Sequence, residues 1–147
     1  MKKLFLVFAL SLSLSALAQD DFKVKAFHID HRIQVMPIQE LKDFAAYLHE
    51  SGINTIIMEW EASFPYTRNG IVSNRFAYTK EEVRDFISYC AGMDIQVIPL
   101  LQCLGHLEYV LKYERYAALR EDRYEVSQLC PLKKEAVRQL IPSYCRR

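Results

Sequence analysis

The chain has 147 residues, 51% hydrophobic and 25% charged, with a formal net charge of +1. These proportions suit an ordinary globular domain, and the near-neutral balance removes any electrostatic argument for nucleic acid or an acidic surface as a partner. Nine Tyr, eight Phe and one Trp supply enough aromatic surface for a core or for sugar stacking, and alone decide between neither.

In chain order, the first residues read as a targeting signal. Lys2 and Lys3 precede an apolar run over residues 4–14, and Ala16-Leu17-Ala18 supplies a small-x-small cleavage pattern. The run is shorter than the roughly 20 residues a membrane span needs. The expectation is a signal peptide over 1–18, cut after Ala18, giving a secreted or periplasmic product with no membrane contact after cleavage. Residues 19–147 form one further unit with no repeat, low-complexity tract or linker.

That unit alternates strand and helix. Residues 24–30 predict a first strand. Pro37 then opens a helix whose apolar residues Ile38, Leu41, Phe44, Ala45 and Leu48 recur at three- and four-residue steps, and Gly52 ends it. Residues 53–58, almost continuously apolar and rich in β-branched side chains, predict a strand buried on both faces. A long loop over 61–78 follows, with Pro65 and Asn69-Gly70 as turn signals. Thr79 and Glu82 have capping-box spacing and start a helix with Val83, Phe86, Ile87 and Cys90 on its apolar face. Residues 95–101 predict a third strand, in which Pro99 removes a backbone donor near the end. A helix over 107–119 is expected to bury Leu107, Val110, Leu111 and Ala118. A last helix is expected over 133–140, stopped by Pro142 and a solvated Arg146-Arg147 tail.

Strands alternating with helices predict an α/β fold with a parallel sheet. The four cysteines, Cys90, Cys103, Cys130 and Cys145, form no C-x-x-C pair and lack zinc-site spacing. Cys90 reads as a buried thiol on a helix face. A Cys103–Cys130 bridge stays open, with free thiols the favoured reading.

The chemistry is expected at the strand ends. Asp30, His31 and Arg32 follow the first strand, Glu59, Trp60 and Glu61 the second, and Gln102, Gly105, His106 and Glu108 the third. In a parallel sheet these groups share the carboxyl-terminal rim, where such folds bind ligands. Asp30 and Glu59 also read as ion-pair partners within that mouth. His28, two residues before Asp30 on the same strand face, reads as a packed core histidine.

The segments Phe27-His28-Ile29-Asp30-His31-Arg32 and Gly52-Ile53-Asn54-Thr55-Ile56-Ile57-Met58-Glu59-Trp60-Glu61, with Phe64-Pro65-Tyr66, resemble the first two strands of glycoside hydrolase family 20. Pro99-Leu100-Leu101-Gln102-Cys103-Leu104-Gly105-His106-Leu107-Glu108 resembles the Pro-Leu-x-Gln-x-x-Gly-His-x-Glu segment after strand three in the hexosaminidase D-like branch of that family. The likeness runs over about residues 24–131.

The resemblance implies a partial TIM (β/α)8 barrel, about its first three βα units. It also implies a β-N-acetylhexosaminidase, a glycosidase that removes terminal N-acetylhexosamine from glycans. The family's mechanism is substrate-assisted and retaining, outside the usual two-carboxylate scheme: the acetamido oxygen attacks the anomeric carbon, an Asp orients it, and an adjacent Glu protonates the leaving oxygen. No cofactor and no metal are implied. The partner is a glycan or glycoconjugate.

On the same resemblance Arg32 grips sugar hydroxyls with its fork of donors, and His106 supports the acid/base region by hydrogen bonding. Glu61 and Glu108 accept from sugar hydroxyls or are solvated loop charges. Gln102 contacts ligand or makes an internal bond, and Trp60 is a stacking wall or a core residue. The family's catalytic Asp-Glu pair follows strand four, and this sequence contains no Asp-Glu dipeptide. A full barrel takes about 250 residues. Residues 19–147 are therefore expected to be an incomplete amino-terminal part of the catalytic domain, lacking the catalytic residues and inactive alone. Two alternatives are a metal-dependent barrel hydrolase using His28, Asp30, His31, Glu59, Glu61 or His106, and a non-catalytic, glycan-binding or degenerate fragment.

Overall fold

In a computed structural model, residues 22–136 and 138 are described. The expected signal peptide, Cys145, Pro142, the basic tail and part of the expected last helix lie outside them. Three five-residue strands, β1 (Ala26–Asp30), β2 (Thr55–Glu59) and β3 (Gln96–Leu100), form one parallel sheet in the order β1-β2-β3. Their carboxyl ends are level: Asp30 pairs in register with Glu59, and Glu59 with Leu100. Helix α1 (Ile38–Glu50) joins β1 to β2, and α2 (Lys80–Ala91) joins β2 to β3. The expectation of an α/β fold with a parallel sheet is met, and a full helix follows each of β1 and β2.

Local chemistry accounts for these elements. Pro37 occupies the cap position, one residue before the helix, with φ −54° already suited to it. At the other end Gly52 takes φ +82°, a left-handed conformation that side chains disfavour. Its N–H reaches the carbonyl of His49, and that of Ile53 reaches Leu48, so carbonyls of the last turn are satisfied. The capping box of α2 forms in both directions: Glu82 N–H donates to Thr79 Oγ1 at 3.1 Å, and Thr79 N–H donates to the Glu82 carboxylate at 2.7 Å.

The central strand β2 carries Ile56 and Met58, both fully buried, beneath Leu41, Ala45 and Leu48 of α1 and Val83, Phe86 and Cys90 of α2. Full burial of each large apolar side chain contributes about 1.5–3 kcal/mol before entropy is counted. Trp60 is the hub where this core meets the rim, packing edge-on against His31, Tyr78 and Phe86 with ring centroids 5.5–6.0 Å away. The outer strands are more open. Pro99 lies in β3, an outer strand of this sheet, where a missing backbone donor is tolerated. Ile87, expected on the apolar face of α2, is instead exposed.

The region after β3 departs further from expectation. In place of one helix over 107–119 there is a single turn, α3 (Glu108–Leu111), followed by a 3-10 segment (Glu114–Leu119). Arg120 donates from Nε and NH2 to the Leu111 carbonyl at 2.9 and 2.7 Å. That acceptor is thus taken from the backbone N–H that would have continued the helix, and Tyr113 turns extended. The buried face shifts accordingly: Tyr116 and Leu119 are buried and Ala118 is exposed. Tyr109 packs inward, while Tyr124 is exposed. These residues build a second apolar cluster with Val72, Leu107, Val110, Leu111, Leu129 and Ala136. Val72 reaches it from the β2–α2 loop, which is ordered by 3-10 turns at Glu61–Ser63 and Gly70–Val72.

Cys90, Cys103 and Cys130 are free thiols, so no Cys103–Cys130 bridge forms. Burial pushes the Cys90 thiol up to about 11, which suits the expected inert core position.

Candidate functional site

The polar residues after the three strands meet at one end of the sheet. Asp30, at the end of β1, accepts from Arg32 twice: from its backbone N–H at 2.8 Å and from NH2 at 2.7 Å. Burial raises the Asp30 carboxyl, but these bonds and the Arg32 charge outweigh it and hold the group below its usual range. The same guanidinium donates from NH1 to His106 Nδ1 at 2.5 Å, across 74 residues of sequence. Arg32 thus spans the ends of β1 and β3.

Glu59, the last residue of β2, is 1% exposed. Its Oε2 accepts from His28 Nε2 at 2.9 Å and its Oε1 from Gln102 Nε2 at 2.7 Å. One buried carboxylate therefore ties β1 to the residues after β3, and both its oxygens are engaged. The ion-pair expectation holds for Asp30, whose partner is Arg32, while Glu59 is hydrogen-bonded to His28. His28 is not the packed core histidine that was expected. Strand alternation puts it on the face away from α1 and α2, where its side chain stays 45% exposed.

Glu61 is not a solvated loop charge. It is buried, with Oε1 lacking a hydrogen-bond partner. Desolvation first, and the neighbouring Glu59 second, push its carboxyl up to about 8, against the opposing pull of Arg32. Near neutral pH this acid holds its proton. Glu61 lines a cavity of about 410 Å³ with Trp60, Phe64, Tyr66, Pro99, Leu100 and Leu101, so a proton-bearing carboxyl sits among mainly apolar walls. A second hollow of about 480 Å³ is lined by the β1–α1 loop, Arg32 included, and by residues between 74 and 82.

Both Glu61 and His106 have positive φ, 45° and 55°. Non-glycine residues adopt this region rarely and at a cost, and such strain concentrates at functional sites. Nothing in the sequence signalled it.

The remaining expected site residues are placed as follows. Trp60 is 5% exposed and belongs to the core as much as to the cavity wall. Gln102 makes the internal bond to Glu59. Glu108 opens α3, and its Oε2 is buried without a hydrogen-bond partner. Sequence reasoning gave no ligand role to Tyr66 and Phe64, which wall the cavity; Phe64-Pro65-Tyr66 was the available signal. Among the described residues no group of three or more His, Cys, Asp or Glu side chains is placed to hold a metal ion, so the metal-dependent alternative gains no support from them.

No protein-family model matches the chain. Hexosaminidase D from Bos taurus is 30% identical over 115 residues, covering 78% of this chain and 33% of that protein. Hexosaminidase D from Homo sapiens is 29% identical over 101 residues, covering 68% and 21%. The chain is hexosaminidase-like and resembles glycoside hydrolase family 20. It spans about a third or less of the length of these curated relatives. The Streptomyces plicatus N-acetyl-β-hexosaminidase has the same fold with a TM-score of 0.63 at 17% identity, over 80% of this chain and 28% of that one. The Flavobacterium johnsoniae chitobiase, also of family 20, gives 0.64 at 16% identity, over 85% and 22%. The α/β fold with its parallel three-stranded sheet is compatible with part of the barrel of these neighbours.

Proposed function

We propose that this chain forms the first three βα units of a family-20 (β/α)8 barrel and contributes the Arg32, Glu61 and His106 side of a pocket for a terminal N-acetylhexosamine. The observation that carries the reading is the convergence of Arg32 with His106, from opposite edges of the sheet, beside the buried Glu61. Relatives support it: one structure of the Streptomyces plicatus enzyme holds GlcNAc as product, and another holds Thio-NAglucal.

In this reading Arg32 offers its uncommitted N–H groups to sugar hydroxyls, Glu61 donates its retained proton to an acceptor oxygen, and Tyr66 and Phe64 form an apolar wall. Gln102 and Glu59 are struts beneath the pocket, and Glu108 is a further acceptor at its edge. The reaction is substrate-assisted, retaining hydrolysis, performed with an Asp-Glu pair. These 147 residues contain no Asp-Glu dipeptide, so they bind sugar without cleaving it. The product is exported, with the signal removed after Ala18.

The test is a titration of the purified 147-residue protein with N-acetylglucosamine and N-acetylgalactosamine, followed by NMR, beside a chromogenic N-acetylglucosaminide assay. The expected result is weak binding that shifts resonances of Arg32, His106 and the Glu61 loop, without turnover. Robust turnover overturns the non-cleaving assignment, and absence of binding to either sugar overturns the pocket.

A further inference from the structure

The contact between Arg32 and His106 fixes a hydrogen position. Arg32 NH1 lies 2.5 Å from His106 Nδ1. A guanidinium has donors only and keeps its charge in proteins, so Nδ1 must accept. A neutral imidazole that accepts at one nitrogen carries its hydrogen on the other. We infer that Arg32 is a positioning residue for His106, locking its ring in the Nε2–H tautomer and leaving that N–H to face whatever approaches the exposed ring.

Two observations support a lock rather than a passing contact. Asp30 grips Arg32 through both its backbone N–H and its NH2, so the guanidinium is oriented before it meets His106. His106 itself is held in a left-handed backbone conformation, φ 55°, directly after Gly105, so the ring is presented by a strained turn rather than by a sampling loop. The other charged groups around Arg32 are Glu59 and Glu61. Glu59 is already occupied by His28 and Gln102, and Glu61 holds its proton near neutral pH.

The consequence is a mouth that offers donors. Arg32 has N–H groups beyond the two used on Asp30 and His106, His106 adds Nε2–H, and both oxygens of Asp30 are taken. A ligand meets this edge with acceptor oxygens, such as those of a hydroxyl, carbonyl or carboxylate. That ligand statement rests on the glycan-pocket reading; the tautomer does not.

The experiment is long-range nitrogen–proton correlation NMR of the imidazole rings in the full 147-residue chain at mildly alkaline pH. His106 is identified by its loss in His106→Gln. The expected result is a single Nε2–H tautomer for His106 in the wild type. In Arg32→Met, of similar length but without donors, the two ring-nitrogen resonances converge as the tautomers interchange, and Arg32→Lys restores the separation in part. A backbone spectrum checks that each variant is folded. An Nδ1–H tautomer in the wild type, or an unchanged pattern in a folded Arg32→Met, overturns the inference. Should Arg32→Met not fold, the wild-type tautomer still decides. The sugar titration is read separately, so a locked His106 in a chain that binds no sugar removes the pocket while leaving the lock in place.

Discussion

Glu61 sits beside Glu59 at the buried end of β2, two carboxyl groups separated by one residue and sharing one dry corner of the sheet. Both oxygens of Glu59 are hydrogen-bonded, to His28 and Gln102, and Glu61 is left to keep its proton.

The first expected outcome concerns alkaline stability. The Glu61 carboxyl moves from 4.5 to about 8 on folding, so the folded chain binds more protons than the unfolded one between those values. Its contribution is complete below 4.5 and is lost as pH rises through about 8. Glu61→Gln keeps the shape without the charge. It should gain on the wild type in denaturant midpoint at about pH 9 and not at about pH 5, by on the order of a few kcal/mol, at about 1.4 kcal/mol per unit of displacement. A wild type that grows more stable than the variant across this window contradicts the assignment.

His31 works in the opposite direction. Its ring is 2% exposed, and burial, partly opposed by the charge on Asp30, holds it below its ordinary 6.5. The unfolded chain takes up that proton first. The contribution is therefore complete above 6.5 and falls away as pH drops below it. Urea denaturation across mildly acidic pH should show this decline in the wild type and a weaker one in His31→Phe, and equal slopes would remove His31 as the source.

Gln102 separates a strut from a sugar contact. Gln102→Ala strips one oxygen of a buried carboxylate of its donor, which should destabilise the fold by about 1.5–3 kcal/mol. A residue that only touches ligand would leave the unfolding midpoint in place while weakening sugar binding, and thermal or chemical melting distinguishes the two.

The capping box predicts a smaller loss. Thr79→Ala removes the acceptor for Glu82 N–H and should cost about 1 kcal/mol. Thr79→Ser should recover most of it, and an unchanged Thr79→Ala midpoint would mean the helix start is held by other contacts.

The strand and helix pattern was legible because single residues enforce it locally. Gly52 supplies a left-handed stop, Thr79 and Glu82 a reciprocal start, and Ile56 and Met58 the apolar face of a strand packed under α1 and α2. The rim was legible because parallel strands carry their trailing residues to one side, which brings Arg32 and His106 together. What escaped sequence reasoning depends on distant partners. His28 leaves the core because strand alternation turns it to the open face, where its ring meets Glu59, two residues beyond its register partner Ile57. The helix after residue 107 stops early because Arg120 folds back onto the Leu111 carbonyl. The proton on Glu61 follows from its burial beside Glu59, in a loop pinned further on by Val72. None of these pairings has a signature in local spacing.

That last residue connects two masses of the molecule. Val72 anchors the β2–α2 loop in the cluster built after β3, while Trp60, at the start of the same loop, is anchored in the sheet core. Glu61 follows Trp60 and His106 immediately precedes Leu107, so two of the three described non-glycine residues with positive φ stand where one packed body is fastened to the other, the third being Asp94. The mouth is a seam between them. Trimming Val72 or Leu107 would loosen the footing of Glu61 and His106 from beneath without altering either group.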